Sequence, residues 1–227
     1  MALDKSAQTR ALLVDTALRL FREEGYQATT MRRIAAQAGV SQGNAYYYFD
    51  GKDALVQELY RHIQLEHRDR ALPRLTAGAP LATNLRIVLH TGLDTMAPYH
   101  SFGSTMLASA LSPTAAVSPF SSASAEPRST ATSLMAYAVR TSRGTPAGPV
   151  RAHLPHLLWL AYLGVTVHWV TDTSEQQQRT RELVDGLAPV VGKAVALTRI
   201  PGGRALAGDV AALLDRVLPS TAQEPTP

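Results

Sequence analysis

No part of the chain alternates apolar and polar residues for long enough to make a half-buried strand, whereas apolar residues recur three and four apart almost throughout. That period belongs to helices packed by one face, so the expected fold is all-α. Residues 7–24 show it first: Leu13, Val14, Ala17, Leu18 and Phe21 form a stripe opposite arginines and acids, and Gly25 stops the helix. Thr29 is placed to cap a short helix that Gly39 ends, and Ser41 to cap another reaching Phe49. Asp50 is placed to cap a longer helix, with Asp53 in its first turn, that reaches Leu72 before Pro73. Further helices are expected at 80–97, 103–112, 127–142, 150–172, 174–199 and 204–218, with Ser174 and Gln177 at capping-box spacing. The Ser-, Ala- and Pro-rich stretch from Ser112 to Ser129 reads as a mobile connection with little to bury, and the tail after Pro219 as frayed.

Composition then removes several classes of function. Without cysteine there is no disulfide, no thiolate nucleophile and no cysteine-ligated zinc. No apolar run reaches the roughly eighteen residues of a spanning helix, and Asp4, Lys5, Arg10, Asp15 and Arg19 interrupt any signal-peptide core. A cytoplasmic protein with no membrane partner is expected. The net charge of +4 permits a nucleic-acid partner, but residues 1–60 carry seven cationic and seven anionic side chains. A DNA-facing surface must therefore arise by separating charges in space.

The four residues Ala38-Gly39-Val40-Ser41 carry the functional reading. Two short helices crossing at a steep angle need a tight turn, and glycine adopts its left-handed backbone most cheaply. Val40 is expected to turn inward, Ala35 to permit close approach, and Ile34 and Phe49 to supply apolar contact. The second helix opens with small polar residues and ends with aromatics. Gln42 and Asn44 carry amides that donate and accept together, as an adenine edge requires. Gly43 lets backbone approach a groove, and Ser41 with the free N–H groups of that turn suits a phosphate. Tyr46, Tyr47 and Tyr48 sweep most of the way around the helix, so some hydroxyls must point outward; Tyr48 is assigned to the core beside Ile34.

From Thr29 to Leu55 the run TTMRRIAAQAGVSQGNAYYYFDGKDAL resembles the DNA-binding signature of the TetR family of regulators. The resemblance implies a helix-turn-helix head over 1–51, a helical ligand-binding and dimerisation domain over 52–219 and a flexible tail over 220–227. It also implies a homodimer that represses from a palindromic operator and is released by a small apolar or aromatic inducer, and no enzymatic activity. Matched position by position, Gln42, Gly43, Asn44 and Tyr47 face the groove, Tyr46 and Lys52 hold phosphates, and Thr29 and Thr30 face the phosphates from the preceding helix. Arg32 reaches towards the bases. Ala45 stands where a larger aliphatic residue is usual, and Asn44 where Thr or Ser is commoner, so base preference does not transfer.

Residues 154–170 are apolar nearly all the way round and must be covered on every side. Gly164 and Val167 there, with Leu183, Leu187, Val190, Val191 and Ala194 on the next helix, are the candidate subunit interface; a purely intrachain core is the alternative. Gly164, Gly186 and Gly192 are expected to allow close helix approach. His90, Met96, Tyr99, Phe102, Met106, Tyr137, Trp159 and Tyr162 combine apolar bodies with polar tips and are the candidate ligand-pocket residues, though plain core packing would use the same types. The helix from Asp53 to Leu72 is the candidate lever between the halves. Two other readings compete. A metal enzyme would use His153 and His156, but Pro155 separates them and no acid completes a shell, so no metal or cofactor is expected. A sequence-blind DNA binder would need a broad basic surface, which the neutral head lacks.

Overall fold

The described residues of the computed structural model are 5–110, 115, 117–146 and 148–217, side chains excepted at 105, 106 and 108–110. Among them the chain is helical, with no β-strand. The helices are α1 (Lys5–Glu24), α2 (Met31–Gln37), α3 (Gln42–Tyr48), α4 (Lys52–Ala71), α5 (Leu81–Met96), α6 (His100–Ala110), α7 (Ala125–Thr141), α8 (Val150–Thr171), α9 (Gln178–Leu197) and α10 (Pro201–Val217). Short 3-10 turns at Leu72–Arg74, Ala97–Tyr99 and Glu175–Gln177 mark where Pro73, Pro98 and a left-handed kink break the α period.

Two compact units are present. The first comprises Met1–Asp69, Leu93–Thr130 and Trp169–Thr171, the second Arg70–Gly92, Ala131–His168 and Asp172–Pro227. The expected boundary after residue 51 falls inside the first unit. The physical reason is that α4 is bound into the head: Glu58 on α4 pairs with Arg10 on α1, and Lys52 and Asp53 both bond Tyr26 from the α1–α2 turn.

In the first unit, Leu13, Ala17, Leu20 and Phe21 of α1 are buried together with Ile34 and Ala35 of α2 and Leu55, Val56 and Leu59 of α4. Phe102 of α6 stacks on Phe21, with centroids 5.4 Å apart. The stretch expected to bury little is better packed than its composition implies. Val117 and Ser124 are buried, Ser124 exchanges hydrogen bonds with Gln57, and Arg128 donates to the carbonyls of Pro119 and Ser121. Residues 112–114 and 116 of that stretch, and the tail after Pro219, lie outside the described residues.

In the second unit, Leu85, Val88 and Leu89 of α5, Leu134, Met135 and Ala138 of α7, Leu158, Trp159, Tyr162 and Val165 of α8, and Val184 and Ala188 of α9 are buried. Asn84 ties the loop before α5 to the end of α7 by bonding Thr76 backbone and the Ser142 hydroxyl. A Cβ at Gly192 would stand 3.1 Å from the Ala82 side chain, so this glycine serves an approach of α9 to α5 within the chain. Gly164 and Gly186 have nothing within 4 Å of such a Cβ.

The start of α9 departs from the expected capping box. Gln176 and Gln177 take left-handed φ values of 49° and 54°, and the α-helix begins only at Gln178. Asp172 does the capping instead. Its carboxylate accepts from the Ser174 N–H and hydroxyl at 2.9 and 2.6 Å, and from the Thr180 N–H and hydroxyl at 2.8 and 2.7 Å. Burial pushes this carboxyl up, but the four donors outweigh it and hold it well below the usual carboxylate range. Because the Thr180 hydroxyl donates to Asp172, its oxygen is left to accept from His168 Nδ1, 2.8 Å away, which fixes the proton on that ring nitrogen.

Candidate nucleic-acid interface

The turn between α2 and α3 is built by three backbone bonds: Ala38 N–H to Ile34, Gly39 N–H to Ala36 and Val40 N–H to Ala35, at 2.9–3.2 Å. Gly39 sits at φ 68°, the left-handed conformation the tight turn requires. Ser41 caps α3, its hydroxyl accepting from the Asn44 N–H at 3.1 Å. The second helix is capped by Thr30, which accepts from the Arg33 N–H at 3.2 Å, and not by Thr29. Thr29 is fully buried and donates its hydroxyl to the Gly25 carbonyl at 2.8 Å, so its side chain has no surface to offer a phosphate. The one-residue shift follows from backbone angles: Thr30 has the extended φ/ψ of a cap, −119° and 156°.

Which face of α3 is rooted follows from the i, i+4 pair Ala45 and Phe49, both buried. Tyr48 is only half-buried and edges against the Tyr47 ring at 5.2 Å, so it does not belong to the core; Ala45 takes that place. Val40 is likewise half-buried. Opposite this root stand Ser41, Gln42, Gly43, Asn44, Tyr46 and Tyr47, all exposed, with Tyr47 at 81% and Tyr46 at 45%. A short helix thus presents two amides, two phenols and a glycine outward while its back is fixed.

Charge around α3 is arranged by pairing. Arg19 bonds Glu23, Arg33 forks onto Glu24 at 2.8 and 3.1 Å, and Arg10 pairs with Glu58. Arg32 is exposed and makes no ion pair among the described residues, which leaves its guanidinium open to an outside anion. Lys52 is committed differently from expectation. Its ammonium donates to the Tyr26 carbonyl at 2.6 Å and lies 4.4 Å from the Tyr26 ring centroid, and burial lowers its pKa despite Asp53. A phosphate would have to compete for it. Burial, then the bond to Asp53, raises the Tyr26 phenol.

The eight candidate ligand residues divide between the units. Met96 and Phe102 are buried in the first, where Tyr99 is half-buried; the Met106 side chain lies outside the described residues. In the second, Trp159 and Tyr162 are buried, Tyr137 is exposed beside Arg140, and His90 Nε2 meets Asp185 at 2.8 Å. One residue that periodicity could not single out is Gln64 on α4. It is 4% exposed, and its amide oxygen has no hydrogen-bond partner among the described residues. Of the interface candidates, Gly164, Val167, Leu183, Val190 and Ala194 are exposed, and Leu187 and Val191 half-buried. The competing metal pair is accounted for otherwise: His153 meets Asp215 at 2.9 Å and His156 tilts against Trp159, and no group of three possible ligands exists among the described residues. None of the described helices is long and apolar enough to cross a membrane.

A helix-turn-helix with a polar, exposed second helix, in an otherwise helical chain, is the architecture of a bacterial regulatory protein. Residues 13–59 match the model of bacterial regulatory proteins of the tetR family, and residues 84–207, more than half of the chain, match the tetracyclin repressor-like C-terminal domain. The chain belongs to the TetR family. It is 46% identical over 52 residues to the HTH-type transcriptional repressor KstR2 of Rhodococcus jostii, covering 23% of this chain and 26% of that protein. It is 30% identical over 93 residues to the HTH-type transcriptional regulator AcrR of Shigella flexneri, covering 38% and 41%. These alignments span less than half of the curated relatives' length. A tetR-family regulator structure from Streptomyces coelicolor aligns with TM-score 0.61 at 19% identity, covering 96% of this chain and 98% of that one, which shows a shared fold.

Proposed function

We propose that the chain is a transcriptional regulator that binds a palindromic operator as a homodimer and leaves it when a small apolar or aromatic ligand binds. The observation that carries the DNA reading is the face of α3. Gln42, Asn44 and Tyr47 stand exposed on a helix whose other face is sealed by Ala45 and Phe49. A rigid helix presenting amides outward is what a major groove reads. Arg32 reaches towards the bases and the Ser41 turn supplies a phosphate contact; Lys52 adds another by exchanging the Tyr26 carbonyl for a phosphate oxygen.

Pairing of subunits is supported by α9. Leu183, Leu187, Val190, Ala194 and Leu197 recur at helical spacing, and Val190 and Leu197 are 60% and 57% exposed. Five apolar residues in line on one surface are the half of an interface whose other half is a second copy. Ligand control is supported by the Gln64 amide oxygen, a buried acceptor that a ligand hydroxyl or N–H would satisfy.

Selection of bound duplexes from a random library by the full chain tests the reading. The expected product is an inverted repeat with half-sites about 34–36 Å apart or a multiple of it. Binding without any sequence preference would remove specific recognition from the account.

A further inference from the structure

The first unit contains an open cleft of about 530 Å³, within the size range of small-molecule sites. One wall is the end of α3, with Tyr48, Phe49 and Asp50; another is the face of α4 bearing Gln57, Glu58 and Arg61; the start of α7 closes it with Glu126. None of these side chains belongs to the exposed face of α3.

Four carboxylates, from Asp50, Asp53, Glu58 and Glu126, face two guanidiniums, from Arg10 and Arg61. Both guanidiniums are already held by Glu58, Arg61 at 2.6 Å. Burial raises the Glu58 carboxyl, but the bonds and charges of the two arginines outweigh it and hold it at about 2, so it stays ionised. The surplus negative charge sits at Asp50, Asp53 and Glu126, of which Asp53 accepts from the Tyr26 hydroxyl.

Arg10 shows what the cleft accepts. Its guanidinium meets the Glu58 carboxylate and lies 5.0 Å from the centroid of the Phe49 ring. A cation between a carboxylate and an aromatic face is the arrangement by which organic ammonium groups are recognised, filled here by the chain itself. The remaining carboxylates and the half-buried Tyr48 ring line the same open cleft.

We propose that this cleft is a binding site for a small organic cation with an apolar body, of the aromatic quaternary ammonium type. An occupant rests against the last turn of α3 on one side and α4 on the other, so it bears on the root of the DNA-facing helix. The site goes beyond the operator and inducer reading and does not depend on it.

Calorimetric titration of the full chain with benzyltrimethylammonium, and with phenylmethanesulfonate as the anion of similar shape, tests it. Asp50 and Glu126 are exposed, so D50N and E126Q leave the fold intact, which far-UV circular dichroism checks; D209N makes the same charge change at an exposed site in the other unit. The expected result is saturable binding of the cation alone, weakened about three- to tenfold by D50N or E126Q and unchanged by D209N. The proposal is overturned if neither probe binds, if both bind alike, or if D50N and E126Q bind the cation as the unaltered chain does.

Discussion

Replacing Asp172 by alanine removes the cap of α9, the helix that carries the proposed subunit interface. The carboxylate accepts four hydrogen bonds, and two come from Thr180, which is fully buried. The Thr180 N–H and hydroxyl would then lie buried without an acceptor, at about 1 kcal/mol or more each. Ser174 is half-buried, so water replaces its lost partner at little cost. The two Thr180 groups, one of them the cap bond itself, make the loss about 2 kcal/mol or more, a sizeable share of the roughly 5–15 kcal/mol that holds a protein folded. Asp172→Asn keeps one acceptor oxygen and should cost about half as much. Urea unfolding at fixed protein concentration reads the loss, and amide exchange at Thr180 locates it. The Asp172 carboxyl is depressed, so its contribution is present above the ordinary carboxylate range near pH 4 and fades as pH falls below it; the two proteins should converge in stability in acid. A D172A penalty under about 1 kcal/mol, or unchanged protection of the Thr180 amide, would refute the capping argument.

Three other outcomes follow from the same structure. Val190→Asp puts a charge on the exposed stripe of α9 and should give a folded monomer by sedimentation, with operator affinity lost; a dimer that survives would move the interface elsewhere. Glu58→Gln should cost about 2 kcal/mol at neutral pH, less than the full pKa displacement implies because both arginines are partly exposed. That penalty is present above pH ~4.3 and vanishes as pH falls towards the Glu58 value of about 2, so a pH-independent penalty would contradict the ion-pair account. Lys52→Ala should weaken binding to all duplexes alike and lower the salt slope by about one unit. A change confined to one sequence would instead make Lys52 a base-reading residue.

Much of the head was legible because its chemistry is local. The Gly39 turn, the Ser41 cap and the inward Ile34 and Phe49 each depend on residues within a few positions. The failures share one cause, competition between locally equivalent residues. Thr29 and Thr30 are both good caps, and only the backbone angles choose Thr30. Tyr48 and Ala45 both lie near the inward side of α3, and Ala45 pairs with Phe49 at i, i+4. Ser174 and Gln177 have capping-box spacing, yet Asp172 two residues earlier offers an ionised acceptor and wins; Asp-x-Ser, which reads as an Asx turn, was the available signal. Long-range pairs such as Arg10 with Glu58 leave no trace in the sequence. The ligand candidates failed to separate from core for a related reason: Phe102 stacked on Phe21 and a pocket-lining phenylalanine are the same letter.

Operator affinity against affinity for a scrambled duplex, at one salt concentration, is the most direct check on the exposed face of α3. The full chain should prefer its selected inverted repeat by at least about a thousandfold. The double substitution Gln42→Ala with Asn44→Ala should lose most of that preference while still binding the scrambled duplex. If the substituted protein discriminates as well as the original, base recognition lies elsewhere and the role assigned to α3 is wrong.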